Sequence, residues 1–346
     1  MRILLWHVHG SWTTAFVQGR HSYFVPVTPD RGAFGRGRAA TYPWPETVVE
    51  VRPEELAELP LDIVVLQRPE ELELAARWLR RRPGRDIPMV YVEHNTPREQ
   101  VPNSRHPMAD RGDLVLVHVT HFNALFWDAG GTRTAVIEHG IPDPGHRYTG
   151  ELPRLGVAVN EPVRRGRVTG TDLLPRFAAV APLDVYGIGV DALPAHLSDR
   201  IAGLEVTVTD DPPQSLLHRE LARRRAYLHP MRWTSLGLSL LEAMSLGVPV
   251  LALGTTEALE AVPPDAGVLS TRLDVLLEAA AWLIDEPADA RRLGDRAREV
   301  AQARYGLDRF LTDWDTLLST EAGWPSPSAS TRAMVATTPM AGIRKG

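Results

Sequence analysis

The sequence has no cysteine, and its single lysine, Lys345, stands next to last. Without cysteine there is no disulfide scaffold, no thiolate zinc site, no iron–sulfur cluster and no cysteine nucleophile, which fits a reducing compartment. Without an internal lysine there is no Schiff-base chemistry and no P-loop lysine. Every other member of the 38 basic residues is an arginine, so holding a phosphate falls to guanidinium forks or backbone N–H groups. Long apolar runs are also lacking. The opening MRILLWHVHG has about five apolar residues in a row, too few for a signal-peptide core and closer to a first buried strand. No run approaches the roughly 20 residues that cross a bilayer. The expectation is a soluble, cytoplasmic protein, with surface contact to a membrane left open. A net charge of −5 argues against a non-specific nucleic-acid binder, which needs a basic face.

What is present is an ordinary globular composition, 44% hydrophobic and 23% charged, in 346 residues, enough for two cores. Short β-branched runs alternate with helical patterns, the signature of α/β units with parallel sheets. Strands are expected at Ile3–Val8, Val48–Val51, Ile63–Leu66, Met89–Glu93, Leu114–Val119 and Ala135–Glu138. A second series is expected at Leu155–Asn160, Asp184–Tyr186, Val206–Thr209, Ala226–Leu228 and Val248–Leu253. The Pro/Gly cluster at 139–145 separates the two series. This predicts two Rossmann-like domains, 1–150 and 151–305, then a C-terminal helix over 306–322 and a disordered tail over 323–346. Gln18–Ala40, rich in Arg and aromatics, breaks the rhythm and reads as a long functional loop or a solvated excursion.

The richest segment runs from His229 to Val250. It reads as a strand end, a loop and a helix starting near Ser235 or Gly237, stopped by Gly247 and Pro249. The first-turn N–H groups around Leu236, Gly237 and Leu238 suit a phosphate. Glu242 lies among apolar neighbours, so its carboxylate must find partners, for which a ribose diol is a natural donor; a surface-facing Glu is the plainer reading. After Leu155–Asn160 come Arg164, Arg165 and Arg167, able to hold a diphosphate or simply a basic loop. His94 closes one strand, and Gly10 follows another, where the missing Cβ permits close approach.

Two other patterns compete. Gly187-Ile-Gly-Val-Asp-Ala192 fits a dinucleotide fingerprint, with Asp210 about 20 residues on as the ribose acid, which would make a nicotinamide oxidoreductase. Asp313-Trp-Asp315 is a DxD pattern, but it sits in a helical stretch with its carboxylates on different faces and reads as surface charge. No paired metal spacing occurs.

The 229–250 segment resembles the signature of the retaining GT-B glycosyltransferases of family 4, in which an acidic residue, seven spacers and a Glu precede Ala-Met-x-x-Gly-x-Pro-Val. The resemblance implies two Rossmann-like domains facing across a cleft. The second would bind a UDP- or GDP-linked sugar and the first an acceptor, whose identity the sequence leaves open among a lipid carrier, a polysaccharide, a small metabolite and a protein. It implies no cofactor, no metal and no nucleic-acid partner. Carried onto this sequence, Glu242 is the ribose-binding carboxylate, and Ser235, Leu236, Gly237 and Leu238 are the donor loop. Arg164, Arg165 and Arg167 are the diphosphate candidates, with Gly10 and Gly187 beside the donor. His94 lies near the transferred sugar, and His9, Ser11, Trp12 and Asn95 lie on the acceptor side. At the first acidic position stands Thr234, a hydroxyl without charge. That departure keeps open a non-catalytic nucleotide-sugar-binding protein as the alternative to a transferase.

Overall fold

The computed structural model describes residues 1–324, so the tail beyond Trp324, with Lys345, lies outside the described residues. The first series of apolar runs forms β1 (Arg2–Leu5), β2 (Ser22–Pro26), β3 (Val48–Val51), β4 (Ile63–Leu66), β5 (Met89–Glu93), β6 (Val115–His118) and β7 (Arg133–Val136). They make one parallel sheet in the order β3-β2-β1-β4-β5-β6-β7, with Ile3 registered between Tyr23 and Ile63. The second series forms β8 (Leu152–Ala158), β9 (Leu183–Gly187), β10 (Val206–Asp210), β11 (Arg224–His229), β12 (Val250–Leu253) and β13 (Gly267–Ser270). That sheet is also parallel, in the order β10-β9-β8-β11-β12-β13. Both are α/β sheets of doubly wound order, with near-continuous apolar strands because helices cover both faces.

Two strands were not anticipated. β2 lies inside the Arg-rich excursion, where Tyr23 and Val25 are buried in the core. The return of that excursion is held by Arg38, whose guanidinium donates to the carbonyls of Trp44, Pro45 and Val48. β13 is the edge strand of the second sheet. β1 stops at Leu5, before the expected Val8; Trp6 stays in the first half's core, while His7, Val8 and His9 face the space between the halves.

The last three helices are Leu273–Asp285, Pro287–Tyr305 and Leu307–Glu321. The last of these returns to the first sheet, where Phe310, Trp314 and Leu318 join Trp12 and Phe16 in one core. Asp315 corrects the surface-charge reading: its carboxylate is held by Arg20 and His21, at 3.0 and 2.8 Å, and ties this helix to the start of β2. Asp313 only pairs with Arg309 along the helix. Among the described residues no helix is long and apolar enough to cross a membrane.

The two halves meet at several points. The Ile141 N–H donates to the Tyr305 carbonyl at 2.8 Å, so the two segments that cross between the halves are bonded to each other. Nearby, Arg304 pairs with Glu138 across the junction. The Phe122 N–H donates to Glu257 at 2.8 Å.

Candidate functional site

The segments that follow β1 and β5 in the first sheet and β8, β9 and β11 in the second open into one cleft of about 670 Å³. This is where doubly wound sheets place ligands, at the carboxyl ends of strands where the winding reverses. In the first sheet that point lies between β1 and β4, and in the second between β8 and β11.

The first wall is built of buried histidines. The rings of His9 and His94 lie 4.2 Å apart, and Trp12 meets His94 edge-on at 4.9 Å. His139, from the Pro/Gly segment expected only as a boundary, lines the same wall. Burial is the first cause that lowers all three pKa values, His9 to about 4, His139 to about 3 and His94 well below its usual range. They are therefore neutral imidazoles near pH 7. The tautomer of His94 follows from its neighbours. The amide N of Gln67 donates to the Trp6 carbonyl at 2.7 Å, so its Oε1 is turned to His94 Nε2 at 3.1 Å. Nε2–H is the donor there, which leaves Nδ1 as a free acceptor. Glu71 fixes Gln67 in turn, accepting its backbone N–H at 2.6 Å.

The second wall starts at helix Leu238–Leu246, whose extended N-cap residue is Gly237. Its first N–H groups have no intrahelical acceptor and sit beside the cleft. Gly237 cannot carry a side chain: a Cβ would lie 2.3 Å from the ring of buried His229. Beneath it, the Tyr227 hydroxyl is bonded to Ser239 Oγ at 2.8 Å and His229 Nδ1 at 3.3 Å, supporting the helix start. One turn on, Glu242 is only 4% exposed and reaches the cleft floor. Gln214 donates to its Oε1 at 3.1 Å, and His218 Nε2 lies 3.3 Å from its Oε2. A carboxylate has about four acceptor positions, so two remain for a ligand diol.

The structure brings most of the expected residues together. His9, Gly10, Ser11, His94, Asn95, Gly187 and Thr234 line the cleft. Leu236, Gly237, Leu238 and Glu242 do so as well. Three are elsewhere. Trp12 is buried against Phe16 and Trp314, so it backs His94 and does not reach an acceptor. Ser235 is buried, with its hydroxyl 3.2 Å from Thr120 Oγ1 of the first half. Arg167 points outward, 75% exposed, and pairs with Asp172. Of the remaining arginine candidates, Arg164 is paired with Glu161, while Arg165 lines the cleft without a carboxylate.

The dinucleotide reading does not survive the topology. Gly187-Ile-Gly follows β9, the second strand of its sheet, whereas that fingerprint follows the first. Asp210 Oδ1 accepts the Val190 N–H at 3.0 Å, inside the turn. Gly187 is there because a Cβ at its φ of +136° would lie 2.1 Å from the Val159 carbonyl. Residues missed by sequence reasoning, His139, Gln67 and Arg98, lie in loops without a motif.

The family described as "Glycosyl transferases group 1" matches residues 171–302. Among curated proteins no sequence relative was found. Among solved structures, sucrose-phosphate synthase from Thermosynechococcus elongatus is similar with a TM-score of 0.69 at 15% identity, over 92% of this chain and 98% of that one. HepE from Anabaena, solved in complex with UDP-glucose, gives 0.64 at 15% identity, over 92% and 100%. A mutant of S. aureus TarM, in complex with fondaparinux, α-GlcNAc-glycerol and UDP, gives 0.58 at 16% identity over 74% of this chain. The chain spans only 55% of that protein's length. At such identities the likeness is one of fold. The chain has the GT-B fold, and its residues 171–302 match the family of the group 1 glycosyltransferases.

Proposed function

We propose that the protein transfers a sugar from a UDP- or GDP-linked donor to an acceptor hydroxyl, with retention at the anomeric carbon and without a metal ion. Glu242 is the observation that carries this reading. A buried carboxylate at the cleft floor, met by Gln214 and His218 and with two open acceptor positions, suits a ribose diol. The HepE and TarM complexes with UDP-glucose and UDP support the donor class. The diphosphate would lie between Arg165, Arg164 and the helix start at Leu238. Transfer forms the bond from the acceptor oxygen to the anomeric carbon, breaks the bond to the diphosphate, and passes the acceptor hydroxyl's proton to the departing diphosphate oxygen. The charge growing on that leaving group is met by oriented N–H groups and guanidinium. His94, neutral and with Nδ1 free, accepts a hydrogen bond from a sugar hydroxyl on the acceptor side, beside His9, Ser11 and Asn95. Closure of the halves excludes water and holds the acceptor hydroxyl against the face of the anomeric carbon from which the diphosphate departs, as retention requires.

Thr234 favours a second reading, a nucleotide-sugar-binding protein without transfer, because a hydroxyl replaces the charge that the resembled family places on the donor sugar. A thermal-shift screen across nucleoside diphosphates and their sugars, followed by a hydrolysis assay on the best binder, separates the two. The transferase reading expects UDP or GDP to raise the melting temperature and the sugar nucleotide to be turned over. Stabilisation by NADH with none by either diphosphate overturns it, and binding without turnover across many acceptors leaves the binding protein.

A further inference from the structure

Among the described residues most arginines are engaged by carboxylates or carbonyls. Arg98 and Arg165 are exceptions. Neither guanidinium has a hydrogen-bond or ionic partner among the described residues, and both line the cleft, Arg98 from the first half and Arg165 from the second. Burial and then the nearby charge of Arg98 pull the Arg165 guanidinium below its usual range.

The loop bearing Arg98 is fixed to the opposite wall. The carbonyl of Pro97 accepts from Trp233 Nε1 at 2.7 Å. The Trp233 ring meets Phe122 and Phe126 edge-on, at 5.5 and 6.2 Å. Trp233 immediately precedes Thr234 on the loop that leads into helix Leu238–Leu246. Arg98 is thus the next residue along from a hydrogen bond that joins the halves, and it is delivered to the donor loop by the half that would otherwise serve only the acceptor. Arg36 is a further unpaired arginine on the first wall, but its charge acts on His7 and His9, whereas that of Arg98 acts on Arg165, so Arg98 and Arg165 are the pair from opposite walls that defines a place for a dianion.

We propose that Arg98 is a donor-diphosphate ligand supplied across the cleft, so that Arg98 and Arg165 grip one diphosphate between the halves. The inference rests on the donor reading given above. Guanidinium forks match phosphate oxygens in pairs, and an anion between two like charges turns their repulsion into a bridge. Nucleotide binding and closure of the halves then become one event. In a chain whose described part has no lysine, the second cation comes from the facing domain.

The test is calorimetric titration of the full chain with UDP and GDP, using UMP and GMP as controls, on wild type, Arg98→Ala, Arg98→Lys and Trp233→Phe. Arg98→Ala is expected to weaken the bound diphosphate by about tenfold or more, the loss of a charge-assisted contact, and to leave the monophosphate within about twofold. Arg98→Lys recovers part of the loss. Trp233→Phe keeps a ring but drops the bond to Pro97, and falls in between. Unchanged diphosphate affinity in Arg98→Ala overturns the inference while the donor reading stands. Equal losses for diphosphate and monophosphate also overturn it, since Arg98 then acts on the fold or the nucleoside. Absence of UDP and GDP binding by wild type overturns both.

Discussion

The two halves share a strand order, yet their cleft walls differ in chemistry. The first wall presents neutral imidazoles, His9, His94 and His139, backed by aromatic side chains, together with Arg36 and Arg98. The second presents a buried carboxylate, a helix start and arginines. Under the proposed function one topology serves two tasks. The second, the donor wall, suits a nucleoside diphosphate, with Arg98 reaching it across the cleft, and the neutral imidazoles suit hydroxyl groups, which need acceptors and donors but no net charge. The side chains after the strand ends, and not the sheets, decide the division of labour.

That contrast can be broken at Glu242. Glu242→Ala is expected to lower nucleotide affinity and transfer by about a hundredfold, because two charge-assisted bonds are lost together; titration with UDP and GDP reads it, and an unchanged affinity removes Glu242 from the donor wall. Gly237→Ala drives a Cβ toward the His229 ring and should cost about 2 kcal/mol in urea unfolding, as overpacking does. The double variant with His229→Ala should recover part of it, and a neutral single variant would show that the ring yields freely.

Acid should strike the first half hardest. Folding depresses the pKa of six histidines, and five of them, His7, His9, His94, His118 and His139, belong to it, with His229 in the second. Unfolded, each titrates near 6.5; folded, His9, His118 and His229 wait until about 4 and His139 until about 3. Between those values the unfolded chain binds more protons, so stability is fully present above 6.5 and is lost as pH falls toward 4. Glu71, raised by burial to about 7, works the other way with one proton. Melting temperatures measured from neutral pH downward should fall continuously, and a flat profile contradicts the neutral wall.

A smaller shift is expected from Gln67→Glu. A carboxylate facing Nε2 favours the imidazolium, so the acid limb of a kcat/KM profile should move up by about one pH unit if His94 must be neutral. The least effect belongs to Arg167→Ala, an outward arginine whose exposed pairing carries little energy. Nucleotide affinity within about twofold of wild type is expected, and a large loss would place Arg167 inside the cleft.

Local patterning made the central strands legible, since buried parallel strands are short apolar runs and need no distant partner to be recognised. Three of them, β4, β5 and β12, end where the periodicity ends, as does the edge strand β3. The donor wall was legible for a similar reason: its helix start, loop and Glu242 are consecutive, so spacing alone brings them together. The opposite wall was not. His9, His94 and His139 are dispersed over 130 positions and converge only because three different strands end at one edge. β2 was obscured by the arginines around it, whose partners, such as Asp315 for Arg20 and the backbone carbonyls for Arg38, lie far off in the chain or in a loop of no fixed pattern. Asp315 misled for the same reason.

The bond between Ile141 and Tyr305 has a mechanical meaning. Because the chain crosses twice at one place, a rotation of one half against the other has its pivot there. The chain is also interlocked. A proteolytic nick in the 142–150 segment would not release two particles, for the C-terminal fragment would still plug Phe310, Trp314 and Leu318 into the core of the N-terminal one. After a cut at that segment, the two fragments are expected to co-elute in size-exclusion chromatography, held together by that shared core.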